Sequence, residues 1–169
     1  MICSRSPNWK KTMPDTVSPY DTGVWLALAF ASHPFYAQAR SIFERADSSR
    51  PAAFCRATQT SFLRLLTTPT ICNAYGSSLI TNSEAGATCE ELWALPQVVW
   101  LAESAGMDAE WRQCAALGNP SPKVWLDAYL AAFAIRGDLN FVRLDKDFSR
   151  FRGRGLELEF LSVGSKYPA

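Results

Sequence analysis

Short apolar runs separated by segments of helical period constrain this chain more than any other feature. "AAFC" (52–55), "VVWLA" (98–102) and "NFVRL" (140–144) read as strands, and "LELEFLSV" (156–163) alternates like a final edge strand. Between them lie segments with the 3.6-residue period. "PFYAQARSIFERA" repeats Phe35, Ala39, Ile42, Phe43 and Ala46, and "TQTSFLRLLTT" places Phe62, Leu63 and Leu66 on one face. Thr81 with Glu84 three residues on predicts a capping box opening a helix to about Leu95, and residues 108–117 predict another. "LDAYLAAFAIRG" predicts a helix closed by Gly137. Strands alternating with helices imply an α/β chain with a parallel, doubly wound sheet.

Several readings are local. Pro34 suits a first helical turn, Pro69 reads as a stop after the "LRLLTT" segment, and residues 72–82 read as a polar loop. "TVSPYD" is a candidate first strand, but Pro19 cannot donate to a ladder and makes it a poor central strand. The helix that follows, from about Val24, is apolar all round through "WLALAF" and must be covered, by the core, a second copy or a partner.

With 169 residues the chain is long enough for one domain, assigned to residues 16–165. Residues 1–15 are polar, carry Pro7 and Pro14, and read as an extension lacking the apolar core of a signal peptide. Lys plus Arg (17) nearly balances Asp plus Glu (16), so any affinity for nucleic acid must come from a local patch. Cys3, Cys55, Cys72, Cys89 and Cys114 form no C-x-x-C pair, and His33 is the one histidine, which argues against zinc and for buried, reduced thiols in the cytoplasm. No stretch is apolar for long enough to cross a membrane.

In such a sheet ligands bind beyond the carboxyl ends of the strands. Asp21 and Asp145 each follow a strand, and Asp127 lies near the start of a helix that runs back across the sheet. All three therefore reach one rim, with Asp147 beside them. Clustered carboxylates raise one another's pKa, and a hard divalent cation, Mg2+ or Mn2+, is the natural compensation. Such an ion can activate water and neutralise a phosphate under attack. Taken singly, each aspartate also reads as a turn or cap residue, Asp127 as a helix cap above all. A basic stretch surrounds the rim: Arg136, Arg143, Lys146, Arg150, Arg152 and Arg154, with Arg56 and Arg64 on another helix. With a metal in place it suits a phosphate backbone, Arg56, Arg64, Arg143, Lys146, Arg150 and Arg152 being the candidate contacts, although a solvated surface is the plain alternative for each.

"DTGVWLALAF", "FCRATQTSFLRLLT", "VWLDAYLAAFA" and "FVRLDKDF" occur in the order seen in PIN domains and resemble most the VapC-type toxins of toxin–antitoxin pairs. The resemblance covers residue 17 to about 162. It implies a three-layer α/β/α sandwich and a metal-dependent endoribonuclease in which Asp21, Asp127 and Asp145 bind Mg2+ or Mn2+, with Asp147 as an auxiliary acid. It further implies a homodimer inhibited by a VapB-like antitoxin. Two positions depart from the family pattern. No Asp or Glu occurs from Ser48 to Ser83, where family members carry a helical glutamate, leaving Gln59 as the nearest polar substitute. Gly23 stands where related sequences have asparagine. Both leave room for a catalytically weak PIN domain that binds RNA or protein. "LDKDFS" also resembles the D-x-D-x-[ST] motif of haloacid-dehalogenase-type phosphatases, but too little chain follows it for that fold. His33, between an apolar helix and Pro34, reads as a structural residue rather than a general base.

Overall fold

The computed structural model describes residues 16–144 and 147–161. In chain order the elements are β1 (Ser18–Pro19), α1 (Thr22–Ala29), α2 (Tyr36–Glu44), β2 (Ala52–Phe54), α3 (Arg56–Leu66), α4 (Pro69–Ala74) and α5 (Asn82–Trp93). Then follow β3 (Val98–Trp100), α6 (Met107–Ala115), α7 (Val124–Gly137), β4 (Asn140–Arg143), a 3-10 helix (Asp147–Arg154) and β5 (Glu157–Phe160). β1, β2 and β3 pair in parallel, as do β4 and β5. A parallel bridge between Tyr20 and Val142 joins the two groups, giving the spatial order β3-β2-β1-β4-β5.

β1 is thus the central strand despite Pro19, and the hydrogen bonds show how. Ser18 and Tyr20 donate backward to β2, to the carbonyls of Pro51 and Ala53 at 3.0 and 3.2 Å. Alternate N–H groups of a strand face opposite neighbours, so the missing N–H of Pro19 faces β4. On that side Asp21 N–H still donates to the Val142 carbonyl at 2.9 Å. The proline therefore removes a bond only on the β4 side, where the join narrows to a single bridge.

Strand alternation sends side chains to two cores. Ala52, Phe54, Val98 and Val142 pack with Tyr20 and with α1, α2, α3 and α5. Ala53, Leu101 and Phe141 pack with α6, α7 and the aromatic face of the 3-10 helix. These are the three layers of an α/β/α sandwich. Trp25 is wholly buried and stacks on Phe54 at 3.8 Å, so most of the apolar α1 helix is covered within the chain. Leu28 and Ala29 remain on a cleft of about 310 Å³ shared with Leu92 and Leu95. No described helix is long and apolar enough to cross a membrane. Cys55, Cys72, Cys89 and Cys114 are buried free thiols, and burial raises the first, third and fourth above the ordinary thiol value. Cys3 lies outside the described residues.

Two local expectations need correction. α3 stops at Leu66 as expected, but Pro69 also opens the short helix α4 at its first turn, where its missing N–H costs nothing, so part of the expected polar loop is helical. α7 closes at Gly137 as expected, and Asp138 beyond it takes the left-handed conformation at φ 53°, which aspartate tolerates. Gly137 also meets a close approach, since a Cβ there would lie 2.6 Å from Leu139 Cδ1. Pro34 lies in the turn before α2 rather than inside it. The Thr81–Glu84 capping box forms as expected.

His33 is structural. Its Nδ1 accepts the Phe35 N–H at 3.1 Å, its ring lies 4.8 Å from that of Tyr75, and burial lowers its pKa. Below its ordinary value of about 6.5 the unfolded chain takes up a proton that the folded one resists, so stability rises with pH through that window. Thermal melts between about pH 5 and about pH 7 should show Tm falling as pH falls, with a smaller fall in His33→Gln. An identical fall in both would remove this role.

Candidate active site

The register of the central strands builds the site. Because Tyr20 bridges Val142, the next residues, Asp21 and Arg143, stand side by side on neighbouring strands at the carboxyl edge. Asp21 is also the N-cap of α1, its Oδ1 accepting the Thr22 N–H at 2.8 Å. The cap reading thus holds for Asp21. It does not hold for Asp127: Lys123 occupies the cap position of α7, and Asp127 lies within the first turn.

Arg143 joins the two carboxylates. Its Nε lies 3.3 Å from Asp21 Oδ2 and its Nη1 3.8 Å from Asp127 Oδ1. The guanidinium lies over the Phe148 ring, 3.6 Å from its centroid, and Arg143 is only 7 % exposed. Among the expected RNA contacts on the basic stretch, Arg143 is therefore set apart. It sits beneath the carboxylates rather than on the solvated rim. Its Nε and Nη1 are buried and make no hydrogen bond of good geometry. A cation over an aromatic face away from water contributes up to about 2 kcal/mol. Arg150 adds a second positive group, its Nη2 being 3.5 Å from Asp127 Oδ2 while its guanidinium covers Phe151 at 4.6 Å.

Asp145 and Lys146 lie outside the described residues. Asp147 begins the 3-10 helix, and its side chain likewise falls outside the description. The structure thus brings together Asp21 and Asp127 of the expected acids. Among the described residues no group of three or more metal-ligating side chains forms. The donor set nonetheless suits a hard divalent cation, being made of carboxylate oxygens at the edge where strands end. Gln59 accepts a hydrogen bond from Arg56 Nη1 at 2.6 Å. Gly23 is beside the site, an added Cβ lying 4.0 Å from Asp21 Oδ2 and in ordinary contact with Leu144. Arg64 is exposed on α3, and Arg152 covers Phe160. Arg154 pairs with Glu110 at 2.9 Å and bonds Gln113, tying the 3-10 helix to α6. Arg136 donates to the Ala105 carbonyl, on the α6 side of α7.

Removing Arg143 takes away the positive group that lies between the two carboxylates and uncovers the Phe148 ring. Arg143→Ala should cost about 3–5 kcal/mol in urea denaturation, and adding Asp127→Asn to it should cost less than the sum of the separate losses. Additive losses would show that the pair carries no coupling.

Residues 20–154 match the PIN domain family. The chain is 42 % identical over 139 residues to Ribonuclease VapC41 of Mycobacterium tuberculosis, covering 82 % of this chain and 95 % of the relative. Its fold is similar to VapBC2 of Rickettsia felis, solved bound to a fragment of promoter DNA. That likeness has a TM-score of 0.60 at 13 % identity and covers 87 % of this chain and 100 % of the other. It is also similar to Mycobacterium tuberculosis VapC20, described as a sarcin–ricin-loop-cleaving toxin, with a TM-score of 0.56 at 16 % identity over 79 % of this chain and 93 % of the other. On the family match and the shared length of the 42 %-identical relative, this chain belongs to the PIN-domain family.

Proposed function

We propose that the protein is a metal-dependent endoribonuclease acting as the toxin of a toxin–antitoxin pair, residues 16–165 forming its PIN unit and residues 1–15 an extension. The observation that carries the reading is the Asp21–Arg143–Asp127 arrangement at the carboxyl edge of the sheet, in a chain 42 % identical to a VapC ribonuclease. Asp21 and Asp127 are the holders of Mg2+ or Mn2+, joined by Asp145 and, as an auxiliary acid, Asp147. The ion supplies Lewis acidity that activates water and offsets charge on the phosphate under attack. The chain's own residues do the rest. Arg143 places a positive charge beside both carboxylates and keeps them at one level of the sheet. Arg150, with Arg56, Arg64, Lys146 and Arg152, binds the phosphates on either side of the scissile bond. The reaction is in-line hydrolysis, in which water forms the new P–O bond as the leaving ribose oxygen departs, with no covalent enzyme intermediate.

The partners follow from the same reading: RNA as substrate, a VapB-like antitoxin as inhibitor and a second copy as dimer partner. VapBC2, a relative in fold, is a toxin–antitoxin complex. One observation favours a second reading, that of a catalytically weak binding module. Both described carboxylates already lie beside arginines, with which an incoming cation must compete.

Cleavage of total RNA by the purified protein in Mn2+ tests the first reading. Asp21→Asn and Asp127→Asn should each lower the rate by about 100-fold or more, and chelation should abolish it. Equal cleavage by all three proteins, or none by any, together with no Mn2+ binding in calorimetry, would select the binding module.

A further inference from the structure

Arg56 and Trp100 form an exposed cation–π pair apart from the Asp21–Arg143–Asp127 group. The Arg56 guanidinium lies 4.5 Å from the centroid of the Trp100 ring, and Gln59 Oε1 accepts from its Nη1 at 2.6 Å, so the planar group is held in place before any ligand arrives. Trp100 is 37 % exposed, unusual for the largest apolar side chain at the end of a parallel strand. Trp93 of α5, equally exposed, packs edge-on against it at 5.6 Å and steadies the ring from the side.

The register fixes where this pair stands. Trp100 is opposite Phe54 in the β2–β3 ladder, and β2 neighbours β1, whose chain continues into Asp21. Two strand spacings, about 10 Å, therefore separate the Trp100 backbone from the strand that delivers Asp21. That is the reach of one or two nucleotides along an extended single strand. α3 itself carries Arg56 and Arg64, and no acid occurs between Ser48 and Ser83, so its surface complements a phosphate backbone. A guanidinium over an indole offers π-surface on which a nucleobase can stack and further N–H donors for a phosphate.

We propose that Arg56 and Trp100 form a stacking platform for an unpaired RNA base next to the scissile phosphodiester, with Gln59 as the residue that positions Arg56. The proposal rests on the ribonuclease reading. It deepens it by assigning the two side chains that hold a base beside the cut. On this account Gln59, the nearest polar substitute for the third-helix acid, serves RNA binding through Arg56.

The test is fluorescence anisotropy in EDTA, so that binding is read without cleavage. It uses a short fluorescein-labelled single-stranded RNA and the same ribose-phosphate chain lacking bases, against the full-length protein. Trp100→Ala and Arg56→Ala should each weaken binding of the base-bearing strand by about 5- to 100-fold. Trp100→Phe should retain most of the affinity, and the abasic strand should bind wild type and Trp100→Ala alike. Arg56 is exposed, so its variant keeps the test valid if Trp100→Ala fails to fold, which circular dichroism would show. Unchanged affinity in both alanine variants, or an equal loss on the abasic strand, overturns the platform. Cleavage in Mn2+ is measured separately on the same wild-type preparation. Cleavage with Trp100-independent binding would sink the platform alone, and base-dependent binding without cleavage would sink the ribonuclease reading alone.

Discussion

A buried guanidinium between two carboxylates organises this molecule. Arg143 touches Asp21 from the neighbouring strand and Asp127 from the helix above, and rests on Phe148 of the following 3-10 helix. Four elements of the fold thus converge on one side chain. Carboxylates brought together near a protein edge repel one another unless positive charge lies between them. Arg143 supplies that charge from inside the chain, at the cost of desolvating the group and leaving two of its nitrogens without a well-formed hydrogen bond.

The pairing exists only because β1 and β4 are neighbours in the right register. Their contact is a single bridge, Tyr20 to Val142, extended by the Asp21 N–H bond to the Val142 carbonyl. Pro19 narrows this seam by withholding a donor on the β4 side. The result is a sheet continuous in space but stitched lightly at its centre, beside the site. Packing compensates: Tyr20, Trp25 and Phe54 fill one face with contiguous aromatic rings, and Phe141, Phe148 and Phe151 fill the other.

Much of the fold was legible because its signals are local. The apolar runs at "AAFC", "VVWLA" and "NFVRL" became strands, and the Thr81–Glu84 box capped α5 as its spacing requires. The convergence of Asp21 and Asp127 also followed from local signals, since a residue after a parallel strand and one at the start of a returning helix share an edge. Misreadings arose where one residue type serves two purposes. Pro69 can stop one helix or start the next, and here it starts α4. Pro34 suits a first helical turn, yet it lies in the turn before α2.

Arg143 and Arg56 show the deeper limit. In the sequence both are members of a basic set, indistinguishable from Arg150 or Arg64. Only cross-strand register turns Arg143 inward beside Asp21, and only the meeting of α3 with the end of β3 lays Arg56 on Trp100. The sequence by itself determined the alternation of strands and helices, the edge to which the acids belong, and the scarcity of negative charge on α3. Those properties depend on periodicity and composition, which neighbouring residues settle among themselves. Tertiary structure decided which arginine is buried, which carboxylates share it, and which indole stays open. Such choices depend on pairing between segments far apart in the chain, where a shift of one residue would send each side chain to the opposite face.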